Sequence, residues 1–357
     1  MRILHVCDSI IGGTGSYLAE LLTLQAQRRG PGKVMLLMPE EHRDHIEPRL
    51  ANSGVEFRYF TRKSRLRGMA RLALTFLSVR REFRPDIVHG HTFGAGIVTR
   101  VLRFGRRPAT VFCPHGWAFD IEMPAPARKL LVATERLLAL RSEKIILISE
   151  HEERRARAIG IAEKRLAVVP NGIAAAPPAI PAVPWQDDRL KLLFVGRFDR
   201  QKGLDLLIEA IRPLADKVAL RIVGAPAVSS GYHPPALPHV DIRGWRDRDG
   251  VVAEMKACDM LVVPSRWEGF GLVAVEAMRV GKPVLAAAAG GLNDIMDSGR
   301  YGITVPVNDP AAIRAAIEAL SSEKLAVLAQ AGHARFHDRY TAERMTDDID
   351  RVYAELA

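Results

Sequence analysis

The stretch PSRWEGFGLVAVEAMRVGKPV, residues 264–284, is the clearest indication of fold class in this chain. It follows a short apolar run that ends at Val263, and it predicts a helix over 271–280 after a glycine-rich turn. The run PVLAA at 283–287 then predicts a further strand. A strand, a tight turn, a helix and a second strand in this order are typical of a parallel sheet covered by helices.

Two glutamates, Glu268 and Glu276, lie eight positions apart on this turn and helix. Gly269 and Gly271 allow exposed backbone N–H groups, and the helix N-terminus adds partial positive charge, so the turn suits a phosphate. Glu276 lies about one turn into the helix, where a carboxylate can accept two hydrogen bonds from a vicinal diol such as a ribose. We therefore expect the two carboxylates to contact opposite ends of one extended ligand. Taken alone, such a pair is more often two solvated surface charges.

The same alternation of short apolar runs and helical patterns fills the 357 residues, a length that favours two domains. Strands are predicted at 2–6, 33–38, 86–89, 109–113, 144–149 and 166–169, and again at 190–195, 218–223, 259–263, 283–287 and 302–305. The proline-rich run at 173–188 predicts a linker between a first domain, 1–172, and a second domain, 189–340. A last helix at about 341–357 could pack back on the first domain. The fold class is α/β.

Cations follow the first strand of the second domain in GRFDRQKG, residues 196–203. Open α/β sheets bind ligands at the carboxyl ends of their strands, so Arg197 and Lys202 are candidates for a diphosphate site. Each alone would be an ordinary surface charge. The GGTG turn at 12–15 lacks the spacing of a dinucleotide fingerprint, so a nicotinamide cofactor is not indicated.

The motifs taken together resemble the retaining glycosyltransferase family four, which has the GT-B fold of two Rossmann-like domains facing across a cleft. The resemblance covers almost the whole chain in order and includes GGTG, VHGHT, PHGW, VVPNGI, VGRFDRQKG, PSRWEGFGLVAVEAMRVGKPV and GGLNDIM. The segments HGWAFD and ERLLALRSEKIILISE also look like family members that build bacterial surface polysaccharides on lipid carriers. Asp294 departs from the family pattern, which usually has Glu at that position.

The resemblance implies a role for each matching residue. Arg197 and Lys202 would bind the donor diphosphate, Glu276 the ribose, and Glu268 the donor sugar. His115, in PHGW, corresponds to the family's cleft histidine beside the donor sugar. The residues expected to touch the donor are Gly13, Gly196, Arg197, Lys202, Glu268, Gly269, Phe270, Gly271, Leu272 and Glu276, and those expected to act in catalysis are His115, Glu268, Arg197 and Lys202.

The same resemblance implies a UDP- or GDP-linked sugar as donor substrate, no cofactor, and a glycan or lipid-linked acceptor. It also implies transfer with retention at the anomeric carbon, without a metal ion or an Asp-x-Asp motif. His89 and His91, in HGH, could suggest a metal pair, but the fold that the resemblance implies works without a metal ion.

All the excess positive charge lies in the first half, where residues 1–172 hold 29 Lys and Arg against 17 Asp and Glu, while the remainder holds 22 against 24. Nine basic residues and one acid fall within 58–84. The absence of a recognised binding module argues against nucleic acid. An anionic membrane surface or a lipid diphosphate is the favoured partner, contacted by Arg62, Lys63, Arg65 and Arg67. The alternative is a helix with a solvated basic rim.

Three scattered cysteines, a polar start and the lack of a membrane-spanning apolar run predict a cytoplasmic protein. The basic segment at 58–84 adds the expectation of contact with the inner face of the cell membrane. Two other functions stay open from the sequence. One is a different GT-B enzyme, such as a sugar-nucleotide epimerase, and the other is a non-catalytic protein that binds a nucleotide or a polyanion. The intact set of charged motif residues argues against the second, and the basic first half argues against the epimerase.

Overall fold

The computed structural model describes residues 1–62, 64–105, 107–226 and 232–356. Of Arg65, within these ranges, it describes the backbone alone. The chain divides into two compact units, residues 1–174 with 341–357 and residues 175–340. Each unit contains one parallel sheet flanked by helices. The expected α/β class, with one parallel sheet in each of two units, is confirmed.

The described residues of the first unit form a sheet with the strand order β3-β2-β1-β4-β5-β6-β7. Its strands are β1 (Ile3–Cys7), β2 (Val34–Pro39), β3 (Glu56–Phe60), β4 (Ile87–His91), β5 (Ala109–Cys113), β6 (Lys144–Leu147) and β7 (Leu166–Val168). Its helices are α1 (Gly13–Arg29), α2 (Arg43–Leu50), α3 (Arg65–Phe83), α4 (Thr92–Val101), α5 (Ala125–Ala139) and α6 (Glu150–Ala158). The central strands β1, β2, β4 and β5 are buried throughout, as a parallel sheet covered on both faces requires.

The described residues of the second unit form a sheet with the order β10-β9-β8-β11-β12-β13. Its strands are β8 (Leu190–Val195), β9 (Val218–Val223), β10 (Val240–Gly244), β11 (Met260–Val263), β12 (Val284–Ala287) and β13 (Ile303–Val305). Its helices are α7 (Leu204–Ile211), α8 (Arg248–Ala257), α9 (Leu272–Arg279), α10 (Gly291–Met296), α11 (Pro310–Glu318) and α12 (Ser322–Arg339). The core lies between the sheet and α7 and α11, where Leu207, Ile211 and Ile313 are buried.

Two strands, β3 and β10, are absent from the sequence prediction. Each is an edge strand of its sheet. Their sequences, EFRYF and VDIRG, carry charges and are only partly buried. An edge strand pairs on one side only and needs no continuous apolar run, so the pattern that reveals a central parallel strand is missing.

The segment expected to be a linker lies on the second unit. Lys256 Nζ donates to the carbonyl oxygens of Pro178 and Ile180 at 3.0 and 2.9 Å. The guanidinium of Arg221 lies 4.2 Å from the ring centroid of Trp185. These contacts fix the proline-rich chain along the surface of the unit, because its extended backbone needs partners outside itself.

The final helix, α13 (Ala342–Ala354), belongs to the first unit and packs on α1. Arg29 Nη2 pairs with Asp350 Oδ1 at 2.6 Å across this contact, and Tyr353 is fully buried. Within the described part of the chain, none of the helices is both long and apolar enough to cross a membrane.

Candidate active site

The loops that follow β8 and β11 lie at the point where the strand order of the second sheet reverses. From β8 the chain continues to β9 and β10 on one side, and then returns to β11 on the other side. In open α/β sheets a crevice forms at the carboxyl ends of the strands at such a point, and ligands bind there. Residues 196–203 and 264–271, the two motif loops, flank this position.

Lys202 and Glu268 join the two loops directly. The Nζ atom of Lys202 lies 2.6 Å from Oε2 of Glu268, and the side chains are 21% and 14% exposed. Ser265 Oγ donates to the same carboxylate oxygen at 3.4 Å. The structure thus brings together two residues that the sequence nominates from motifs 66 positions apart.

Arg197 is held beside this pair by residues that the sequence analysis did not nominate. Its Nε donates to Asp199 Oδ2 at 2.8 Å and its Nη2 to Gln201 Oε1 at 3.2 Å, while half of the side chain stays exposed. The other carboxylate oxygen of Asp199 accepts from the backbone N–H of Lys202 at 3.0 Å. Asp199 therefore orients the loop that carries both cations.

A second pair, Arg266 and Asp205, fixes the two loops to each other and to α7. Both terminal nitrogens of Arg266 donate to the Asp205 carboxylate, at 2.9 and 2.6 Å, and Nη1 also donates to the carbonyl of Arg200 at 2.8 Å. Burial alone would raise the pKa of Asp205, but the Arg266 guanidinium outweighs it and the pKa lies below its ordinary value. The carboxylate is thus kept ionised, which strengthens the fork-shaped contact.

Glycines permit the close approach of the site loops. A Cβ on Gly290, whose φ is +55°, would lie 1.9 Å from the carbonyl oxygen of Glu268. A Cβ on Gly203, at φ +67°, would lie 2.1 Å from the carbonyl oxygen of Pro264. Any other residue at either position would displace the loop that carries Glu268.

The remaining nominated residues of this unit surround the N-terminus of α9. Gly271 precedes the helix with φ +109°, and no side chain caps the helix there. Phe270 is buried, with its ring centroid 5.8 Å from that of Tyr340. Glu276 is the fifth residue of α9 and is partly buried. Gly269 and Leu272 complete the turn, Gly196 follows β8, and Asp294 lies in α10, all of them partly buried.

In the first unit, His115 follows β5 in an unusual backbone conformation. Its φ is +52°, in the left-handed region, and the edge of the Tyr17 ring packs against it with ring centroids 4.6 Å apart. Glu152, buried on α6, accepts from the backbone N–H of Gly116 at 2.5 Å and of Ile148 at 2.9 Å. Burial raises the pKa of Glu152 to about 8. Glu152, which sequence reasoning missed, thus supports the turn that holds His115.

His115 is also the last member of a chain of histidines. Its Nε2 lies 3.0 Å from Nδ1 of His91, and His91 Nε2 lies 3.0 Å from Nδ1 of His5. Nε2 of His5 lies 2.9 Å from Oε1 of Gln25 on α1. Burial lowers the pKa of His5 and of His115 to about 3 and places that of His91 well below its ordinary value. All three rings are therefore neutral near pH 7.

Two groups in this region bring metal-ligating atoms close together. Ligand atoms of His5, His89 and His91 lie within 4.8 Å of one another, as do those of His91, Cys113 and His115. However, His5 and His91 already use the facing nitrogens to hydrogen-bond each other. A cation would need both lone pairs, so the residues fit a hydrogen-bonded chain better than a metal site.

The expectation of no Asp-x-Asp motif is wrong, because the chain contains two such triplets, at 247–249 and 348–350. Asp247 caps α8 by accepting from the backbone N–H of Gly250 at 2.8 Å. Asp348 pairs with Arg344 and Arg351 on α13. These contacts account for both triplets through helix capping and ion pairing.

The nominated membrane residues have different surroundings. Arg62 is exposed, but its Nη1 donates to the carbonyl oxygen of Asp8 at 2.7 Å, so part of its guanidinium is engaged within the unit. Arg67 is exposed on α3. Lys63 and the side chain of Arg65 lie outside the described residues.

Gly13, the remaining residue that was expected to touch the donor, is exposed at the start of α1.

The sequence matches two family models, one in each unit. Residues 12–172 match the glycosyl transferase 4-like domain, and residues 189–323 match the glycosyl transferases group 1. The chain belongs to the GT-B glycosyltransferases of the family-four type. The resemblance inferred from the motifs is thereby confirmed, and this glycosyltransferase carries its nominated charged residues within the matched segments.

Relatives of the glycosyltransferase include an uncharacterized 41.2 kDa protein in the cps region of Klebsiella pneumoniae, 27% identical over 87% of each chain. A D-inositol 3-phosphate glycosyltransferase of Geodermatophilus obscurus is 37% identical, over 48% of this chain and 41% of that protein. Among solved structures, HepE of Anabaena in complex with UDP has a TM-score of 0.81 at 20% identity, covering 99% of this chain and 100% of that one. At that identity the likeness concerns the fold.

Proposed function

We propose that this glycosyltransferase moves a sugar from a nucleoside-diphosphate sugar to a glycan or lipid-linked acceptor, with retention at the anomeric carbon. The observation that carries the proposal is the Lys202–Glu268 pair, which joins the two loops at the reversal point of the second sheet. A cation and a carboxylate there match the two parts of such a donor, the diphosphate and the sugar hydroxyls.

UDP is the first candidate for the nucleotide, because HepE, of the same fold, is known in complex with UDP and with UDP-glucose. The test is a thermal-shift panel of UDP, GDP and ADP. A ligand at a hundred times its Kd stabilises the folded state by about 2.7 kcal/mol, which raises the melting temperature by several degrees. If none of the three shifts the melting temperature at millimolar concentration, the donor assignment is wrong.

In the proposed mechanism the chain contributes charge stabilisation and positioning. Arg197 and Lys202 offset the negative charge that develops on the diphosphate as the anomeric bond breaks. Glu268 orients the sugar, Glu276 binds the ribose, and His115 hydrogen-bonds a sugar hydroxyl. We propose front-face attack by the acceptor hydroxyl without a protein nucleophile. The anomeric configuration of the product, read by NMR, tests retention, and an inverted product would rule it out.

We propose that transfer does not require a metal ion, since Arg197 and Lys202 supply positive charge for the diphosphate. Activity should therefore survive EDTA. Complete loss of activity in chelator, followed by recovery with Mg²⁺ or Mn²⁺, would show that a metal ion stabilises the leaving group instead.

We propose surface polysaccharide as the product class, on the basis of the relative in the Klebsiella cps region. The acceptor would then be carried on a lipid, and the first unit would work at an anionic membrane. Helices α3, α4 and α5 are neighbours on one face of its sheet. That face exposes apolar side chains among basic ones, namely Leu66, Leu74, Leu77, Leu130, Leu137 and Leu140 with Arg67 and Arg71.

Exposed leucines beside arginines favour an interfacial surface, because apolar area and attraction to anionic lipid act together. In sedimentation with vesicles, binding should need anionic lipid and fall as salt rises. The variant Leu130→Ser/Leu137→Ser should bind less, while Val327→Ser, an equally exposed change on the second unit, should not. Equal binding of all three proteins, or no binding to anionic vesicles at low salt, would contradict the membrane proposal.

A further inference from the structure

The hydrogen-bond chain that ends at His115 has a direction, and Asp350 sets it. The Asp350 carboxylate pairs with Arg29 at 2.6 Å and with Arg28 at 3.2 Å, and a carboxylate paired in this way only accepts hydrogen bonds. Nε2 of Gln25 lies 3.4 Å from Asp350 Oδ1. The amide nitrogen of Gln25 therefore faces Asp350, and its oxygen faces His5.

In each neutral imidazole, the hydrogen bond at one ring nitrogen fixes whether the other nitrogen donates or accepts. Because Gln25 Oε1 accepts, His5 must carry its proton on Nε2, which leaves Nδ1 of His5 as an acceptor. His91 must then donate from Nε2 and accept at Nδ1. His115 must in turn donate from Nε2 to His91. A neutral ring has one N–H, so Nδ1 of His115 keeps its lone pair.

We propose that Gln25, His5 and His91 are positioning residues that act as a one-way hydrogen-bond relay and hold His115 in the tautomer with an unprotonated Nδ1. His115 then presents an acceptor to its ligand, so it recognises a hydroxyl group and rejects an anionic phosphate oxygen. Only this last step, a hydroxyl of the donor sugar at His115, rests on the proposed function.

Burial makes the relay costly to reverse. His5, Gln25 and His91 are fully buried, and a reversed tautomer in one ring would set two donors or two lone pairs against each other. An unmade hydrogen bond of a buried polar group costs about 1–3 kcal/mol, which corresponds to a factor of about 5 to 150 in the tautomer ratio. The relay therefore holds one tautomer in the large majority of molecules.

The experiment reads the tautomers directly, by NMR of protein labelled with ¹⁵N in histidine alone, since the nitrogen shift separates protonated from unprotonated ring nitrogens. In the unliganded wild-type protein, His5, His91 and His115 should all carry the proton on Nε2. Gln25→Glu keeps an acceptor facing His5 and should preserve that state. Gln25→Lys places a donor there, beside Asp350, and should move the proton of His115 to Nδ1.

His239→Gln is the matched control, because His239 is also a buried imidazole but lies in the second unit, outside the relay. It should leave the tautomer of His115 unchanged. A proton on Nδ1 of His115 in the wild-type protein overturns the relay, and so does an unchanged His115 in a folded Gln25→Lys variant. If Gln25→Lys does not fold, the wild-type and Gln25→Glu spectra decide.

A titration with UDP-glucose separates this inference from the proposed function. A shift of His115 Nδ1 on binding supports the hydroxyl contact. If UDP-glucose raises the melting temperature but leaves Nδ1 unmoved, that contact is refuted. If it does not bind at all, UDP-glucose is ruled out as the donor, while the tautomers of the unliganded protein still decide the relay.

Discussion

The donor site is tested most directly by whether a bound diphosphate replaces Glu268 as the partner of Lys202. In the unliganded protein Lys202 already pairs with Glu268 at 2.6 Å, so a diphosphate must take Lys202 from that carboxylate. A charge-assisted contact contributes about 1.5–3 kcal/mol, or about 10- to 150-fold in Kd. Lys202 loses its contact with Glu268 when the diphosphate binds, which offsets part of this gain. Lys202→Met should therefore raise the Kd for UDP by about tenfold, the lower end of the range.

Glu268→Gln should have the opposite effect on UDP. It removes a competing negative charge and frees Lys202, so UDP should bind as tightly as to the wild-type protein or more tightly, by up to about tenfold. Sugar transfer should nevertheless fall, because the neutral amide is a weaker partner for a sugar hydroxyl than a carboxylate. The double variant should bind UDP like Lys202→Met, since Glu268 acts on the diphosphate through Lys202.

Isothermal titration calorimetry measures these affinities, with Lys217→Met as the matched control. Lys217 is a mostly exposed lysine of the same unit that pairs with Glu318 at 3.8 Å, away from the site loops. Its loss should leave UDP affinity unchanged. Wild-type affinity in Lys202→Met would refute the reasoning, as would equal weakening by Lys202→Met and Glu268→Gln.

Three further predictions concern stability. Gly290→Ala should lower the melting temperature and weaken UDP binding, because its Cβ would lie 1.9 Å from the carbonyl oxygen of Glu268; an unchanged protein would contradict that contact. Arg100→Met should cost about 3–5 kcal/mol in urea unfolding, because the fully buried Glu135 would lose its partner, and Arg100→Met/Glu135→Met should recover most of it. The pKa of His5 is lowered from 6.5 to about 3, so its stabilising contribution is complete above pH 6.5 and is lost as the pH falls toward 3. Stability should therefore drop by about 1.4 kcal/mol per pH unit for each such histidine over that window, and His5→Gln should reduce the slope.

The sequence determined the fold class and the central strands, because a parallel strand buried on both faces needs an unbroken apolar run. The same rule explains why β3 and β10 escaped prediction. Helix α9 was anticipated to within one residue at each end, and α13 to within one residue at its start and three at its end, because a glycine or a polar capping residue borders each start. The proline-rich run was expected to be a linker, since its local pattern holds no information about the side chains of α8 that bind it.

The sequence also determined which loops carry charged groups, because a loop that follows a parallel strand always lies at the carboxyl end of the sheet. It could not determine which side chains meet. That Lys202 reaches Glu268 depends on β8 lying next to β11, although β9 and β10 separate them in the chain. The histidine relay depends likewise on β1, β4 and β5 lying side by side, and on α13 returning Asp350 to Gln25 across 325 positions. Local spacing in the sequence predicts the helices and strands. The order of the strands and the packing of the helices decide which distant residues meet, and these partners fix the protonation and the ion pairing of each polar group.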